Sequence, residues 1–477
     1  MSTLETTTLS PQDRRDHDGD EITKLQALCE RVENLFANSQ QQALLGMREN
    51  HENSSPLFAL NQPQPVDGLP EDFPRFARAE LTTGLCLGQG CFSQVFEIKR
   101  IQTTTRRHSD QENQAARAFV SSRCLTSYGE TRFALKTPRQ DILDDPYQAW
   151  MNYANMVVET RLLSQLDHPH IIKLRAIAES TVPLSPGYFI IVDRFYDTLR
   201  MRIKKWKTET DVRNKTNKKR TWRLLSQFRQ RDDKESDATN LLWKERMTHA
   251  LHLSSAIAYM HEQRVIHRDI KPENIGFSVH DEIKIFDLGI SRPIVSTAKV
   301  YHMSMAGSPR YMAPEVANGE PYNQACDVYS LTLLVWEMLS LKRPYHCARS
   351  LEDLQNKVCR KACRPRIPKH WSRSLQETLK AGWEQDQFER ISMEMLHSRL
   401  RAEVLVTESA DSVEVDSKRR RSTKVFEFNG KRRQLVRMPS KEELFNSLSD
   451  LSLDDDDDDD GLYVNEPCMF HEAESNI

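Results

Sequence analysis

Three groups of side chains along the 477 residues could do chemistry, and their order in the chain matters. The first is Leu87-Gly88-Gln89-Gly90-Cys91-Phe92-Ser93-Gln94-Val95, between two apolar runs. Glycines there let the backbone turn tightly and bring its N–H groups up to phosphate oxygens that a Cβ would hold away, although the same pair also suits an ordinary hairpin turn. The second is Lys136, at the end of the apolar run Phe133-Ala134-Leu135. An ammonium in such a strand is costly to bury without a fixed counter-ion. Glu159 is a candidate, in the middle of a helical pattern with Leu162 and Leu163 inward; taken singly, a lysine and a glutamate are solvated surface groups. The third is His267-Arg268-Asp269-Ile270-Lys271-Pro272-Glu273-Asn274, followed by Asp287-Leu288-Gly289 after the apolar strand Ile283 to Phe286.

With this ordered set the chain resembles the eukaryotic protein kinases from about Glu80 to about Ala402. The resemblance implies a bilobal α+β fold, with a strand-rich N-lobe carrying one helix and a mostly helical C-lobe. It also implies transfer of the ATP γ-phosphate to protein hydroxyls, in which the enzyme mainly positions groups and neutralises charge. Carried over by motif, Asp269 orients the acceptor hydroxyl and takes its proton, and Lys271 sits against the transferring phosphate. Asn274 and Asp287 hold Mg2+, whose hard oxygen preference suits an amide oxygen and a carboxylate. Lys136 binds the inner phosphates and is held by Glu159. Gly88, Gly90, Val95 and Ala134 enclose the triphosphate and adenine, Val192 guards the rear of the pocket, and Asp193 to Phe195 offer backbone groups to the base. Among scaffold positions, Asp327 is expected to accept catalytic-loop N–H groups and Glu315 to pair with Arg390.

Lys271, two positions after the catalytic aspartate, is similar to serine/threonine kinases, and so is Gly307-Ser308-Pro309-Arg310-Tyr311-Met312-Ala313-Pro314-Glu315. Asp327-Val328-Tyr329-Ser330, Trp336-Glu337, Arg364-Pro365 and Gly382-Trp383 resemble the tyrosine-kinase-like branch of that class. No metal ligand, lysine or base is missing, which weighs against the alternative, a pseudokinase-type scaffold that only binds partners. The chain departs from the family pattern at Ser93, where a third glycine is usual, at Leu288, where phenylalanine is usual, and at Gly276, where a leucine forms the floor under adenine. Phe277, Ile275 or Ile285 could fill that gap; otherwise the pocket gains depth, and Gly276→Leu would then tighten ATP binding. Ser304 falls where an upstream kinase would place an activating phosphate, with Arg268 as its cation. Glu273 points to basic residues before the acceptor hydroxyl.

The elements that must position these groups follow from periodicity. Leu85 to Ile98, Arg132 to Thr137, Lys173 to Ile177 and Tyr188 to Asp193 read as strands. Asp144 to Leu166, Leu241 to Glu262 and Cys326 to Ser340 read as helices, the last apolar almost all round and therefore central. The predicted N-lobe is 80–193 and the C-lobe 196–402. Two polar inserts, 101–131 and 201–239, lack apolar periodicity and are expected to be surface loops. Residues 1–75 read as a disordered leader, with a short amphipathic pattern from Ile22 to Phe36. Residues 403–477 read as a disordered tail, with an Arg419-Arg420-Arg421-Ser422 string, an apolar cluster from Leu444 to Leu451, and a run from Asp454 to Asp460 that repels itself.

The formal net charge of -2 hides opposite blocks, so the total says nothing of partners. The basic insert from Lys204 to Arg231 mixes cations with Trp206, Trp222 and Phe228, as nucleic-acid binders do, but a solvated loop accounts for it and no nucleic-acid partner is inferred. Nine cysteines without a paired metal-ligand spacing fit a reducing compartment, so a cytoplasmic protein is expected, and the basic insert could also serve as a nuclear import signal. The opening residues carry no basic-then-apolar secretory pattern, and the run Leu331 to Leu339 is too short to cross a bilayer, so membrane insertion is not expected.

Overall fold

The strand-rich first half of the chain builds one sheet whose order places Lys136 at its centre. The computed structural model describes residues 73–90, 93–103, 111–139, 146–179, 187–224 and 233–422. In chain order the N-lobe contains β1 (Arg75–Phe76), β2 (Leu81–Gln89), β3 (Ser93–Ile101), α1 (Gln111–Ser122), β4 (Phe133–Pro138), α2 (Pro146–Gln165), β5 (Leu174–Ala178) and β6 (Ile190–Asp193). The sheet order is β1-β5-β6-β4-β3-β2. Strand β4 is flanked on both sides, Lys136 lying opposite Val95 on β3 and Ile190 on β6. Its residues Phe133, Ala134 and Leu135 are all buried, the continuous apolar run of a strand covered on both faces. The β2–β3 pairing slips register three times between Thr82 and Gly88, and such irregularities twist and bend a hairpin. The sheet begins at Arg75, five residues before the predicted boundary, because β1 pairs in parallel with β5.

The insert 101–131 is not a surface loop. Helix α1 lies within it, and its Arg117 is buried against Glu80 at 2.5 Å while the guanidinium covers the Phe76 ring at 5.1 Å. Ser121 Oγ donates to the Ile101 carbonyl at 2.8 Å, and Val120 and Cys124 are buried. The helix was invisible to apolar periodicity because a buried ion pair, rather than a hydrophobic stripe, fastens it. The far end of the insert braces the segment after β6. Thr131 bonds both Glu97 and Arg194 through its hydroxyl, and its carbonyl accepts from the Tyr196 hydroxyl at 2.6 Å.

The second half contains β7 (Asp197–Thr198), α3 (Leu199–Leu224), α4 (Asp233–Glu262), β8 (Val265–Ile266), β9 (Ile275–Phe277), β10 (Ile283–Ile285), β11 (Arg292–Pro293), α5 (Pro314–Ala317), α6 (Ala325–Ser340), α7 (Leu351–Gln355), α8 (Arg373–Gly382) and α9 (Met393–Ser422). Helix α6 is buried from Cys326 to Leu339, as its all-round apolar character requires, and ends where Leu341 turns left-handed at φ 58°. The insert 201–239 is likewise helical at every described residue. Leu199, Ile203 and Trp206, spaced four and three apart, bury one stripe of α3, and Asp233 already belongs to α4. Trp206 is 2% exposed and stacks near His249, so it is a core residue and unavailable to a nucleic-acid base.

The chain divides into two compact units, Met1–Leu405 and Val406–Ile477. In the second, residues 406–422 are helical, and the rest of the tail expected from 403 lies outside the described residues. The leader pattern from Ile22 to Phe36, Phe228, the Leu444 to Leu451 cluster and the aspartate run lie outside the described residues. Among those described, no helix is long and apolar enough to cross a membrane.

Candidate active site

Lys136 is the point where the two lobes meet electrostatically. Its Nζ donates to both carboxylate oxygens of Glu159 on α2, at 2.9 and 2.6 Å, and to Asp287 Oδ1 at 2.8 Å. Burial draws the Lys136 pKa down, but the two carboxylates outweigh it and hold the ammonium above its ordinary range. Burial also acts upward on Asp287, yet Lys136, Lys271 and His267 keep that carboxyl below the ordinary value. Glu159, buried beneath the pair and beside a second carboxylate, is the one pushed up. The Asp287 side chain remains 46% exposed, against 4% for Glu159, so one carboxylate is a buried counter-ion and the other faces the cleft.

The loop after β8 is pinned from below. Asp327 on α6 accepts the backbone N–H groups of His267 and Arg268 at 2.8 and 2.9 Å, and His261 Nε2 lies 3.0 Å from it. This fixed anion orders a loop in which Arg268 has φ 74°, a left-handed conformation that a non-glycine residue adopts only when its surroundings enforce it. Burial works against the Asp327 charge, but the imidazole and the N–H donors lower its pKa regardless. Asp287 shares the left-handed conformation, at φ 66°, while its neighbour Leu288 is fully buried and does the packing that phenylalanine would do.

Above this support Asp269, Lys271, Asn274 and Ser308 converge. Lys271 Nζ lies 2.9 Å from Asp269 Oδ2 and donates to Ser308 Oγ at 2.7 Å. Asn274 Nδ2 donates to the Asp269 carbonyl at 3.0 Å and to Oδ2 at 2.8 Å, which orients its amide with the oxygen directed elsewhere. The Ser308 N–H donates to Asp269 Oδ1 at 2.9 Å. Asn274 and Asp287 offer an amide oxygen and a half-open carboxylate, and hard oxygen donors of this kind suit a divalent cation.

The remaining predicted residues surround this cleft unevenly. Gly88 pairs with Val95 across the hairpin, and a Cβ on Gly88 would meet no atom within 4 Å. The Gly90 N–H donates to the Ser93 carbonyl at 2.8 Å and closes the turn, while Cys91 and Phe92 lie outside the described residues. Ala134 and Val192 are buried register partners on β4 and β6. The Asp193 side chain is held at 2.6 Å by Arg175.

Phe195 differs from expectation in a way that also disposes of the gap at Gly276. A Cβ on Gly276 would lie 2.5 Å from Phe195 Cγ, 2.7 Å from Cδ2 and 2.9 Å from Cβ. The Phe195 ring, stacked 5.1 Å from Phe286, fills the space. Phe277, Ile275 and Ile285 do not need to, and no extra depth is left for a leucine to recover. The scaffold pair is also made: Arg390 clamps Glu315 with two bonds of 2.6 Å.

Arg200, the second residue of α3, joins this region without any sign in its own stretch of sequence. Its guanidinium bonds Glu273 at 2.7 Å, Glu337 at 2.6 Å and the Tyr311 hydroxyl at 2.8 Å, and Tyr311 donates to Glu337 at 2.5 Å. Glu273 is therefore already engaged within the chain rather than standing open to a substrate. A single arginine in a helical stretch carries no signal of this, since its three partners come from three separate segments.

A two-lobed scaffold with a lysine bound to two carboxylates across the cleft, over an aspartate, lysine and asparagine cluster, is the arrangement of a phosphoryl-transfer fold. Residues 120–400 match the protein kinase domain family, and the chain belongs to it. The chain is 36% identical over 137 residues to serine/threonine-protein kinase STY17 of Arabidopsis thaliana, covering 29% of this chain and 24% of that protein. It is 24% identical over 355 residues to dual specificity protein kinase shkD of Dictyostelium discoideum, covering 74% of this chain and 38% of that one. A third relative, serine/threonine-protein kinase Nek8 of Danio rerio, is 40% identical over 94 residues, 20% of this chain and 13% of its own. The chain spans about a quarter of the length of the first two relatives, STY17 and STY46 of Arabidopsis thaliana.

Proposed function

We propose that this chain is an ATP-dependent protein kinase that phosphorylates serine and threonine hydroxyls. The observation that carries the reading is the simultaneous hold of Lys136 by Glu159 and Asp287, since an ammonium fixed at the cleft with one open carboxylate beside it is built for a metal-loaded triphosphate. Asn274 and Asp287 would hold Mg2+, which when bound neutralises charge on the phosphates. Asp269 receives the acceptor's proton, and Lys271 places a positive charge where negative charge develops. Ser308, bonded to both Lys271 and Asp269, ties these two groups together where the acceptor hydroxyl would approach. The preference for serine and threonine rests on Lys271 in that place, and the names of STY17 and Nek8 agree with it.

The reading is tested by transfer of radiolabelled phosphate to a generic protein substrate, followed by phosphoamino acid analysis. Label on serine and threonine, lost by at least a hundredfold in Asp269→Asn, is the expected result. Label on tyrosine as well would make the enzyme dual-specific, as the shkD name suggests. No transfer by the parent would favour the scaffold reading.

Regulation through Ser304 belongs to the same proposal. Arg268 donates to the Ser304 carbonyl at 2.7 Å and to its hydroxyl at 3.0 Å, so a phosphate on that hydroxyl would meet a cation already in place. An upstream kinase is the source we propose. Protein purified from cells should lose activity on Ser304→Ala, and equal activity of the two proteins would remove the idea. The cysteine usage supports a cytoplasmic or nuclear setting, which imaging of the tagged full chain would test.

A further inference from the structure

Glu273 and Glu337 form an acidic pair at the edge of the catalytic cluster. Glu273 adjoins Asn274, whose amide holds Asp269, and its side chain is 46% exposed. Glu337 is 1% exposed, at the end of the central helix α6, and bonds Tyr311, three residues beyond the Ser308 that also holds Asp269. The pair thus lies between two segments that both contact Asp269, so a substrate presenting a hydroxyl there runs its neighbouring residues past it. Open carboxylates in that position would select arginine or lysine close to the acceptor, because bidentate guanidinium–carboxylate bonding is among the stronger polar contacts. Arg200 already occupies the place, from within the chain, with three bonds of 2.8 Å or less and only 15% of its side chain exposed.

We infer that Arg200 is a specificity-determining residue, filling from within the chain the acidic site that would otherwise select a basic residue near the phosphorylated hydroxyl. The inference rests on the kinase reading and adds the substrate class to it. With Arg200 in place the enzyme accepts substrates without regard to basic neighbours. Removing Arg200 leaves Glu273 open to solvent and Glu337 buried with only the Tyr311 hydroxyl, a site that an incoming guanidinium would complete.

The test is phosphorylation of a positional peptide library by the parent, Arg200→Ala and Glu273→Gln, each first assayed on a generic protein substrate. Preferences are ratios within one preparation, so a partly folded sample does not alter them. The parent should treat arginine and alanine within threefold of each other at every position near the acceptor. Arg200→Ala should gain at least a tenfold preference for arginine or lysine at one or two of them, and Glu273→Gln should keep the parent's profile. Should Arg200→Ala fail to fold because Glu337 is orphaned, Arg200→Met with Glu337→Gln removes the buried pair together and should show the same gain through Glu273. A parent preference for basic residues that Glu273→Gln abolishes would overturn the inference, as would an active Arg200 variant with an unchanged profile. No transfer by the parent to any substrate would overturn the kinase reading, and this inference with it.

Discussion

The residue most altered by its surroundings is Gly276. Seen alone, a glycine where the family carries leucine invites the expectation of a deepened nucleotide pocket; the Phe195 ring occupies that volume instead. Two positions far apart in the chain have exchanged bulk. Gly276→Leu should therefore not tighten ATP binding but lower stability by about 1–3 kcal/mol, the usual cost of overpacking. Gly276→Leu combined with Phe195→Ala should recover most of it. Thermal melts with and without nucleotide decide this, and an unaltered melting temperature in the single variant would show that Phe195 yields freely. The Lys136, Glu159, Asp269, Lys271, Asn274 and Asp287 set could be read from residue type and order, because each side chain's chemistry depends on a local motif. Arg200 and Phe195 could not, since what each does is defined by atoms from other segments.

The inserts 101–131 and 201–239 both contain helices, although both look structureless by apolar periodicity. Helix α1 is fastened by Arg117 against Glu80, with side chains 5% and 3% exposed, and α3 by one short stripe ending at Trp206. Removing one member of a buried pair strands the other, so Arg117→Ala should cost about 3–5 kcal/mol. Arg117→Met together with Glu80→Gln should cost clearly less, because neither charge is then left unpaired. Urea denaturation of the three proteins measures the difference; equal losses in single and double variants would mean that packing, not the ion pair, holds α1. Strands β4 and β6 and helix α6 were legible because their burial is nearly complete, and complete burial leaves a continuous apolar signature.

A cluster of histidines lies where α2 ends, β10 passes and α4 packs. His170 stacks on His252 at 4.1 Å, and His168 lies 5.6 Å from His170. Burial first, and then the neighbouring imidazoles, lower both His168 and His252 to about 4. In the unfolded chain these rings take up protons near 6.5, whereas in the folded protein they resist until about 4. Between those values the unfolded state binds more protons, so stability falls as pH falls through that window. Melting temperature followed from pH 7 to 4.5 should decline, and less steeply in His252→Asn; parallel declines would place the acid sensitivity elsewhere. The family, the two-lobed order of strands and helices, and the residues proposed for catalysis can all be read from the residues alone, because these depend on local spacing and on which runs are apolar enough to be interior. The folded chain alone shows that Arg200 binds Glu273 and Glu337, that the Phe195 ring fills the space beside Gly276, and that α1 and the first turns of α3 are packed. In each of those cases the partner atoms are brought from distant parts of the chain, and pairing across such distances leaves no periodic trace in either partner's own segment.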